Sequence, residues 1–233
     1  MLLIAASSGA VVQQARVAII IDDLGYQLEA GRRAIALPGP VAFAVLPGTP
    51  RAATLADWAH AQGKEVLLHL PLQANAEDKD NEPIGIDLDM SRQAVVATFA
   101  AALQTVPHAV GVNGHRGSLL TRHPGHMRWL MEEIRARNGL FFVDSYTTAE
   151  SVAIQIATEM GVQAARRDVF LDPDRSPETV ARQFERMKRL AKKRGFVVAI
   201  GHPYESTLEL LERELPKLSE QGIQLVTISE LVQ

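Results

Sequence analysis

Short apolar segments recur along the whole chain, and segments with the spacing of amphipathic helices separate them. The apolar segments are continuous rather than alternately apolar and polar, which is typical of a parallel sheet covered on both faces. The sequence predicts about eight strands, at 15–22, 41–47, 64–70, 108–113, 140–145, 162–172, 196–203 and 223–228. This pattern predicts an α/β fold, either an open doubly wound sheet or a closed (β/α) barrel.

The chain is predicted to form a single domain over residues 16–233. A length of 233 residues suits one (β/α) barrel, and 47% hydrophobic with 22% charged residues is typical of a globular protein. Residues 1–15 are apolar, small or polar, with no charge before Arg16, and we interpret them as an export-signal remnant or a disordered terminus. No continuous apolar stretch predicts a transmembrane helix.

Composition narrows the classes of function. A net charge of −3 and an aromatic content of 5% do not favour binding to nucleic acid. The absence of cysteine excludes a disulfide scaffold, cysteine-ligated zinc and a thiol nucleophile. The chain also lacks a G-x-S-x-G elbow, a P-loop and an H-E-x-x-H motif. No other common catalytic motif appears beside the carboxylates and imidazoles described next.

Polar residues stand at the carboxyl ends of six predicted strands. They are Asp22 and Asp23, His69, Asn113 and His115, Asp144 and Ser145, Arg167 and Asp168, and His202. In a parallel barrel these ends share one face, where active sites form. The pattern favours an enzyme or a ligand-binding barrel over a structural module.

One carboxylate and two imidazoles make a common catalytic zinc set. Asp23, His69 and His115 supply that set, although His69 by itself is more typical of a core histidine. We predict that Asp22 is the base for a water molecule and that His202 is the acid for the leaving group. Asn113 is predicted to contact these residues and orient them, without binding the metal or the substrate itself.

Six motifs carry a resemblance to a known family: "IIIDDLG", "LLHLPLQ", "GVNGHRGS", "FFVDSYTT", "RDVFLD" and "AIGHPYESTL". In this order they resemble the divergent polysaccharide deacetylase family, over roughly residues 16–230. The resemblance implies an irregular (β/α) barrel of seven to eight parallel strands. It also implies that Asp22 is the base, Asp23 a metal ligand and His202 the acid, with Asp144 and Arg167 placed around the base and the acid.

The chain departs from the family pattern at Gln73, where the resemblance places a second ligand beside His69. A neutral amide is a poor zinc ligand, so His115 is predicted as the third ligand. The resemblance implies removal of acetyl groups from a cell-envelope glycan, with a divalent metal such as zinc, in the periplasm or outside the cell. Two alternatives stay open: an inactive barrel that binds an envelope glycan or a protein, and a sugar phosphate enzyme on an open sheet.

Overall fold

The strands form where the sequence is continuously apolar, and the helices form where its apolar residues recur with helical spacing. The computed structural model describes residues 14–76 and 82–233. Its strands are β1 (Ala15–Leu24), β2 (Ala42–Val45), β3 (Val66–Leu72), β4 (Ala109–Arg116), β5 (Phe141–Asp144), β6 (Ala164–Arg166), β7 (Val169–Phe170), β8 (Phe196–Gly201) and β9 (Ile223–Leu225). Its α-helices are α1 (Leu28–Ile35), α2 (Ala52–Ala61), α3 (Arg92–Thr105), α4 (Pro124–Ala136), α5 (Ala153–Met160), α6 (Pro177–Arg194) and α7 (Glu205–Glu214).

The predicted leader at 1–15 lies outside the described residues except for its last two, and Ala15 already belongs to β1. The interpretation of that segment therefore stays a prediction. Within the described ranges, no helix is long and apolar enough to span a bilayer.

Eight strands lie side by side in the order β6-β5-β4-β3-β2-β1-β8-β7, and β9 pairs with the start of β1. All of the pairings are parallel. This order follows the chain around a curled sheet whose two ends are β6 and β7. Among the described residues no strand pairing joins those two ends, and only Arg167 and Asp168 link them along the chain. The predicted irregular barrel is thus confirmed.

The side chains of β1 show how the sheet divides two cores. Val17, Ile19 and Ile21 pack in a large cluster with residues from the helices. Ala18 and Ile20 pack in a smaller cluster with other strands and the C-terminal segment, inside the curl of the sheet. Because successive side chains point to opposite faces, the next inward position after Ile20 is Asp22. The interior is therefore apolar at its base and polar at the carboxyl ends of the strands.

Two helix starts follow directly from the sequence. The Ser91 hydroxyl accepts a hydrogen bond from the Ala94 N–H at 3.3 Å, which caps α3. The Ser176 hydroxyl accepts one from the Thr179 N–H at 3.3 Å, and Pro177 occupies the first turn of α6. Such caps satisfy N–H groups that have no partner within the helix.

The structure corrects the predicted end of the third strand at Pro71, since β3 continues to Leu72. A proline cannot donate to a neighbouring strand, but β2 pairs with β3 only as far as Leu68. Beyond Leu68 the free edge is bridged by Ile86, whose N–H donates to the Pro71 carbonyl at 2.9 Å. Proline is tolerated here because no strand on that side needs its missing N–H.

Candidate metal centre and active site

The inward-facing positions at the strand ends bring most of the predicted site residues together. Asp22 stands two positions after inward-facing Ile20 of β1, and His202 stands two positions after inward-facing Ile200 of β8. In the neighbouring pair of strands, His69 of β3 lies beside Asn113 of β4. These residues converge because all the strands are parallel and end at the same rim of the curled sheet.

Three atoms form a compact triangle at this rim. The Asp23 Oδ1 atom lies 3.1 Å from His69 Nε2 and 3.0 Å from His115 Nδ1, and the two imidazole nitrogens are 3.1 Å apart. In a tetrahedral zinc site with metal–ligand distances of about 2.0–2.1 Å, two ligand atoms lie about 3.3 Å apart. The three residues therefore fit one face of a metal coordination shell in both chemistry and spacing.

A bulge in β1 allows two adjacent aspartates to reach the same site. Ile21 of β1 pairs with Phe43 of β2, and Leu24 pairs with Val45. Between these two pairs β1 therefore contains two residues where β2 contains one. Leu24 consequently packs in the outer cluster, on the face of Ile21, although simple alternation would turn it inward. The extra residue is Asp23, whose φ of +60° lies in the left-handed region that side chains rarely adopt. Backbone strain of this kind is concentrated at functional sites.

The side chain of Asn113 forms hydrogen bonds with both Asp22 and His69. Its side-chain Nδ2 donates to Asp22 Oδ1 at 2.8 Å, and its Oδ1 lies 2.8 Å from His69 Nδ1. Because an amide oxygen can only accept, His69 must carry a proton on Nδ1. The lone pair of neutral His69 is then on Nε2, which faces Asp23 and His115. Asn113 thus fixes the tautomer that ligates a metal, a common role for residues behind a ligand.

The two aspartates beside His69 favour binding of a positively charged species, either a proton or a cation, at this site. Burial raises the pKa of Asp22 above its ordinary value. Burial acts in the same direction on Asp23, but hydrogen bonds with His115 and His69 outweigh it and hold the pKa of Asp23 well below its usual range. Burial tends to lower the pKa of His69, yet Asp22 and Asp23 raise it to about 9. A proton or a divalent cation can meet this demand, and the two compete for the same lone pair.

His202 is held by a carboxylate that was not identified from the sequence. Asp172 is fully buried; its Oδ1 lies 2.9 Å from His202 Nδ1, and its Oδ2 accepts from the His202 N–H at 2.7 Å and from the Thr207 hydroxyl at 2.7 Å. This carboxylate keeps the proton of neutral His202 on Nδ1, so Nε2 faces the site, 3.5 Å from Asp23 Oδ2. The signal was present in "RDVFLD", where Asp172 stands two positions after inward-facing Phe170.

Arg167 lies at the seam between β6 and β7. Its guanidinium donates to the carbonyls of Ser145 and Tyr146, and it lies 4.7 Å from the centre of the Phe170 ring. Burial lowers the pKa of Arg167, and the nearby charge of Arg186 acts in the same direction. Arg167 therefore lines the site, but its guanidinium donates its hydrogen bonds to the backbone of the loop after β5.

Three residues that the sequence placed near the site have other contacts. Asp144 accepts from the Tyr146 N–H and the Ser151 hydroxyl, both at 2.8 Å, which stabilises the loop after β5. Gln73 lies outside the metal triangle, since its Oε1 accepts from the Leu88 N–H at 2.9 Å. Asp168 accepts from the Arg194 guanidinium and the Val198 N–H, both at 3.0 Å. The predicted role of Asp144 near the base and the acid stays a prediction.

A small cavity of about 190 Å³ opens above the strand ends. Its lining includes Asp22, His69, His115, Ser145, Arg167 and His202. Asp23, which contacts His69 and His115, lines a larger cleft of about 760 Å³, whose walls carry Tyr26 and Tyr204. Two of the candidate metal ligands, His69 and His115, therefore line the small cavity, and the third, Asp23, lines the larger cleft.

Comparisons with known proteins identify relatives of this chain. A family model described as divergent polysaccharide deacetylase matches residues 19–232. An uncharacterized protein of Haemophilus influenzae is 37% identical over 218 residues, which are 94% of this chain and 77% of that protein. An uncharacterized protein of Agrobacterium tumefaciens C58 has a similar structure, with a TM-score of 0.90 and 20% identity over 96% of this chain and 92% of that chain.

The fold extends to a named enzyme. The structure of the peptidoglycan deacetylase PdaC from Bacillus subtilis matches with a TM-score of 0.54 and 16% identity, over 94% of this chain and 90% of that chain. At such low identity the likeness concerns the fold alone. The family model, in contrast, covers nearly the whole chain and confirms the resemblance drawn from the six motifs. This chain belongs to the divergent polysaccharide deacetylase family.

Proposed function

We propose that this protein is a metal-dependent hydrolase that removes acetyl groups from a cell-envelope polysaccharide. The observation that carries the proposal is the triangle of Asp23, His69 and His115, with Asp22 on one side and the Asp172–His202 pair on the other. A divalent metal, with zinc as the first candidate for a set of two imidazoles and one carboxylate, would be held by those three residues. When bound, it would supply Lewis acidity to a water molecule and to the acetyl carbonyl.

Asp22 is the candidate base. It is 3% exposed, and its Oδ2 lies 3.7 Å from His69 Nε2, so it borders the metal triangle without belonging to it. Asn113 donates to its other oxygen at 2.8 Å and fixes the orientation of the carboxylate. Asp22 is therefore positioned to take a proton from the attacking water as the new C–O bond forms.

His202 is the candidate acid. Asp172 orients the ring through Nδ1, so Nε2 points at the cavity. A proton on Nε2 would pass to the sugar nitrogen or oxygen as its bond to the acetyl carbon breaks. Burial tends to lower the pKa of His202, but the hydrogen bond with Asp172 and the charge of Asp22 raise it, which favours the protonated form. The products are acetate and a free amine or hydroxyl on the sugar.

The size of the cavity suits an acetyl group better than a whole sugar. Pockets for entire small-molecule ligands typically enclose about 300–1,000 Å³. The chamber above the strand ends is smaller, at about 190 Å³, and it opens beside a cleft of about 760 Å³. In our proposal the acetyl group enters the chamber while the glycan lies across the open surface, where Tyr26 and Tyr204 offer aromatic faces.

The envelope substrate and the location rest on similarity. Membership in a polysaccharide deacetylase family supports an acetylated glycan as the partner, and the likeness of fold to a peptidoglycan deacetylase is consistent with it. The apolar segment before Arg16 supports export, which would place the protein in the periplasm or outside the cell.

Two isosteric variants test the proposal. Asp23→Asn is expected to lose most of the bound metal, because an amide replaces a charged ligand, whereas Asp22→Asn is expected to keep the metal. Both are expected to lower the rate of acetate release from acetylated chito-oligosaccharides or peptidoglycan, Asp22→Asn by about 10²–10⁴-fold. Elemental analysis of the purified proteins reports the metal, and an enzymatic acetate assay reports the rate. Wild-type rates in Asp22→Asn, or equal metal content in all three proteins, would refute the assignment.

The inactive glycan-binding or protein-binding barrel is favoured by one observation. Gln73 stands at a position where the family resemblance expects a ligand, and its side chain is bonded to Leu88 instead. If this alternative holds, glycan binding survives chelation and no acetylated polymer releases acetate. The same pair of assays therefore separates the two functions.

A further inference from the structure

We propose that a groove between β7 and α6 binds an anionic group of the substrate, a carboxylate or a phosphate on a sugar next to the acetylated one. The groove has a volume of about 410 Å³ and includes four guanidinium groups, from Arg166, Arg167, Arg186 and Arg194. The claim that the anionic sugar adjoins an acetylated one rests on the proposed function. The claim that the groove prefers anions rests on the charge of the groove alone.

Most of the positive charge in this groove has no carboxylate partner among the described residues. Asp168 forms an ion pair with Arg194 at 3.0 Å. The guanidinium of Arg166 lies 4.2 Å from the centre of the Tyr146 ring, and that of Arg167 donates to two backbone carbonyls. Arg186 donates a hydrogen bond to the neutral amide oxygen of Gln183 at 3.3 Å. Three guanidinium groups of the groove thus form no ion pair among the described residues, and of these Arg167 is also influenced by the charges of Asp22, Asp144 and Asp172.

Guanidinium groups that converge on one recess and form no ion pair attract anions, because their charges act more strongly in a recess than on an open surface. Guanidinium groups match carboxylates and phosphates through paired N–H donors. A neutral sugar offers no negative charge. An anionic substituent would supply it and would gain charge-assisted hydrogen bonds from Arg166 and Arg186, both of which are exposed to solvent.

The groove is continuous with the candidate active site. Arg167 and Phe170 line both the groove and the small cavity. The centre of the Phe170 ring lies 4.7 Å from the Arg167 guanidinium and 5.5 Å from the centre of the His202 ring. One aromatic ring thus contacts both a guanidinium group of the groove and the candidate acid, a separation that neighbouring sugars of one chain can span. The inference is that the glycan is acidic and that this groove selects for it.

Binding measurements on the purified protein test the groove without requiring catalysis. The probes are a galacturonic acid trimer, a phosphorylated trisaccharide and neutral chitotriose, each titrated by calorimetry at low and at high salt. We expect at least one acidic probe to bind about 10-fold tighter than chitotriose, with an affinity that falls as salt rises. The tighter acidic probe identifies carboxylate or phosphate as the preferred group.

Helix α6 supplies a matched control. Arg186→Gln removes a charge inside the groove, and Arg189→Gln removes one from an exposed position of the same helix that does not line it. Arg186→Gln is expected to weaken acidic-probe binding about 10-fold, the double variant Arg166→Gln/Arg186→Gln more, and Arg189→Gln less than about twofold. Arg186→Lys is expected to retain part of the affinity because it keeps the charge. Unchanged thermal unfolding confirms that each variant is folded.

Two results would overturn the inference: equal affinity for acidic and neutral probes, or equal effects of Arg186→Gln and Arg189→Gln. Failure of the deacetylase proposal gives a different outcome. In that case no acetate is released by the wild-type protein, while binding of the acidic probe still depends on Arg186.

Discussion

At the scale of single residues, the site depends on polar groups that fix one another's protonation. Asn113 holds the proton of His69 on Nδ1, and Asp172 does the same for His202. In both rings Nε2 is left to face the cavity. Neither Asn113 nor Asp172 is placed to react itself, so their contribution is tested best through the state of the histidine that each one orients.

Asp172→Asn is expected to lower acetate release by about 10²–10⁴-fold with little change in metal content. The amide can keep accepting from the His202 N–H and the Thr207 hydroxyl through its oxygen, which leaves its NH₂ group facing His202 Nδ1. Neutral His202 would then carry its proton on Nε2, and the doubly protonated ring that acts as the acid would lose the carboxylate that stabilises its Nδ1 proton. Nitrogen NMR of the imidazole, together with the acetate assay, checks this result.

Asp168→Asn is the matched control for that prediction. It changes a nearby carboxylate that pairs with Arg194 and does not line the small cavity. The tautomer of His202 should stay as in the wild type. A tautomer shift in Asp168→Asn as large as in Asp172→Asn would contradict the proposed positioning role.

At the scale of elements, the chain leaves β1 through two residues with positive φ angles. Asp23 has a φ of +60°, and Gly25 follows with a φ of +139°. A Cβ at Gly25 would lie 2.1 Å from the Thr49 Oγ1 atom, far inside van der Waals contact. Glycine at this position thus allows the chain to leave the bulge and turn toward α1.

Gly25→Ala is expected to lower the free energy of unfolding by about 3 kcal/mol or more, since a steric overlap adds to the cost of the backbone conformation. Gly63→Ala is the control: its φ is +69° and no atom lies within 4 Å of the added Cβ. That variant should cost only about 1 kcal/mol. Urea unfolding of the two variants measures the difference, and equal losses would show that contact with Thr49 is not the cause.

The sequence predicted the elements well and the details of their junctions poorly. Continuous apolar segments were enough to place β1 and β8, and the strand-end rule brought His69, His115 and His202 to one rim. The bulge at Asp23 was not predictable, because it appears only when β1 is counted against its partner β2. Asp172 was missed because Arg167 and Asp168 were taken as the polar end of the sixth strand. The segment 162–172 instead forms two short strands, β6 and β7, and Asp172 follows the second of them.

At the scale of the whole molecule, the candidate metal joins parts of the chain that are distant in sequence. Asp23 belongs to β1, His69 to β3 and His115 to β4, three strands of one sheet. A ligand that binds only the folded state stabilises it in proportion to the logarithm of its concentration over its Kd. Binding here should therefore stabilise the entire fold.

Zinc added at about 100 times its Kd is expected to stabilise the folded protein by about 2.7 kcal/mol. For a chain of this length, that corresponds to a rise in Tm of about 5–10 °C. Chelation should reverse the rise, and Asp23→Asn should show little of it. Differential scanning calorimetry measures the shift; an equal rise in wild type and Asp23→Asn would indicate that zinc binds elsewhere.

The bulge in β1 has one more consequence. Deleting Asp22 and deleting Asp23 yield the same polypeptide, since the two residues are identical neighbours. In that shortened chain β1 would advance two steps against two of β2, and ordinary alternation would return. One aspartate would then face inward in place of two. The separate roles proposed for Asp22 and Asp23 therefore depend on the number of residues in the β1 bulge as much as on their type.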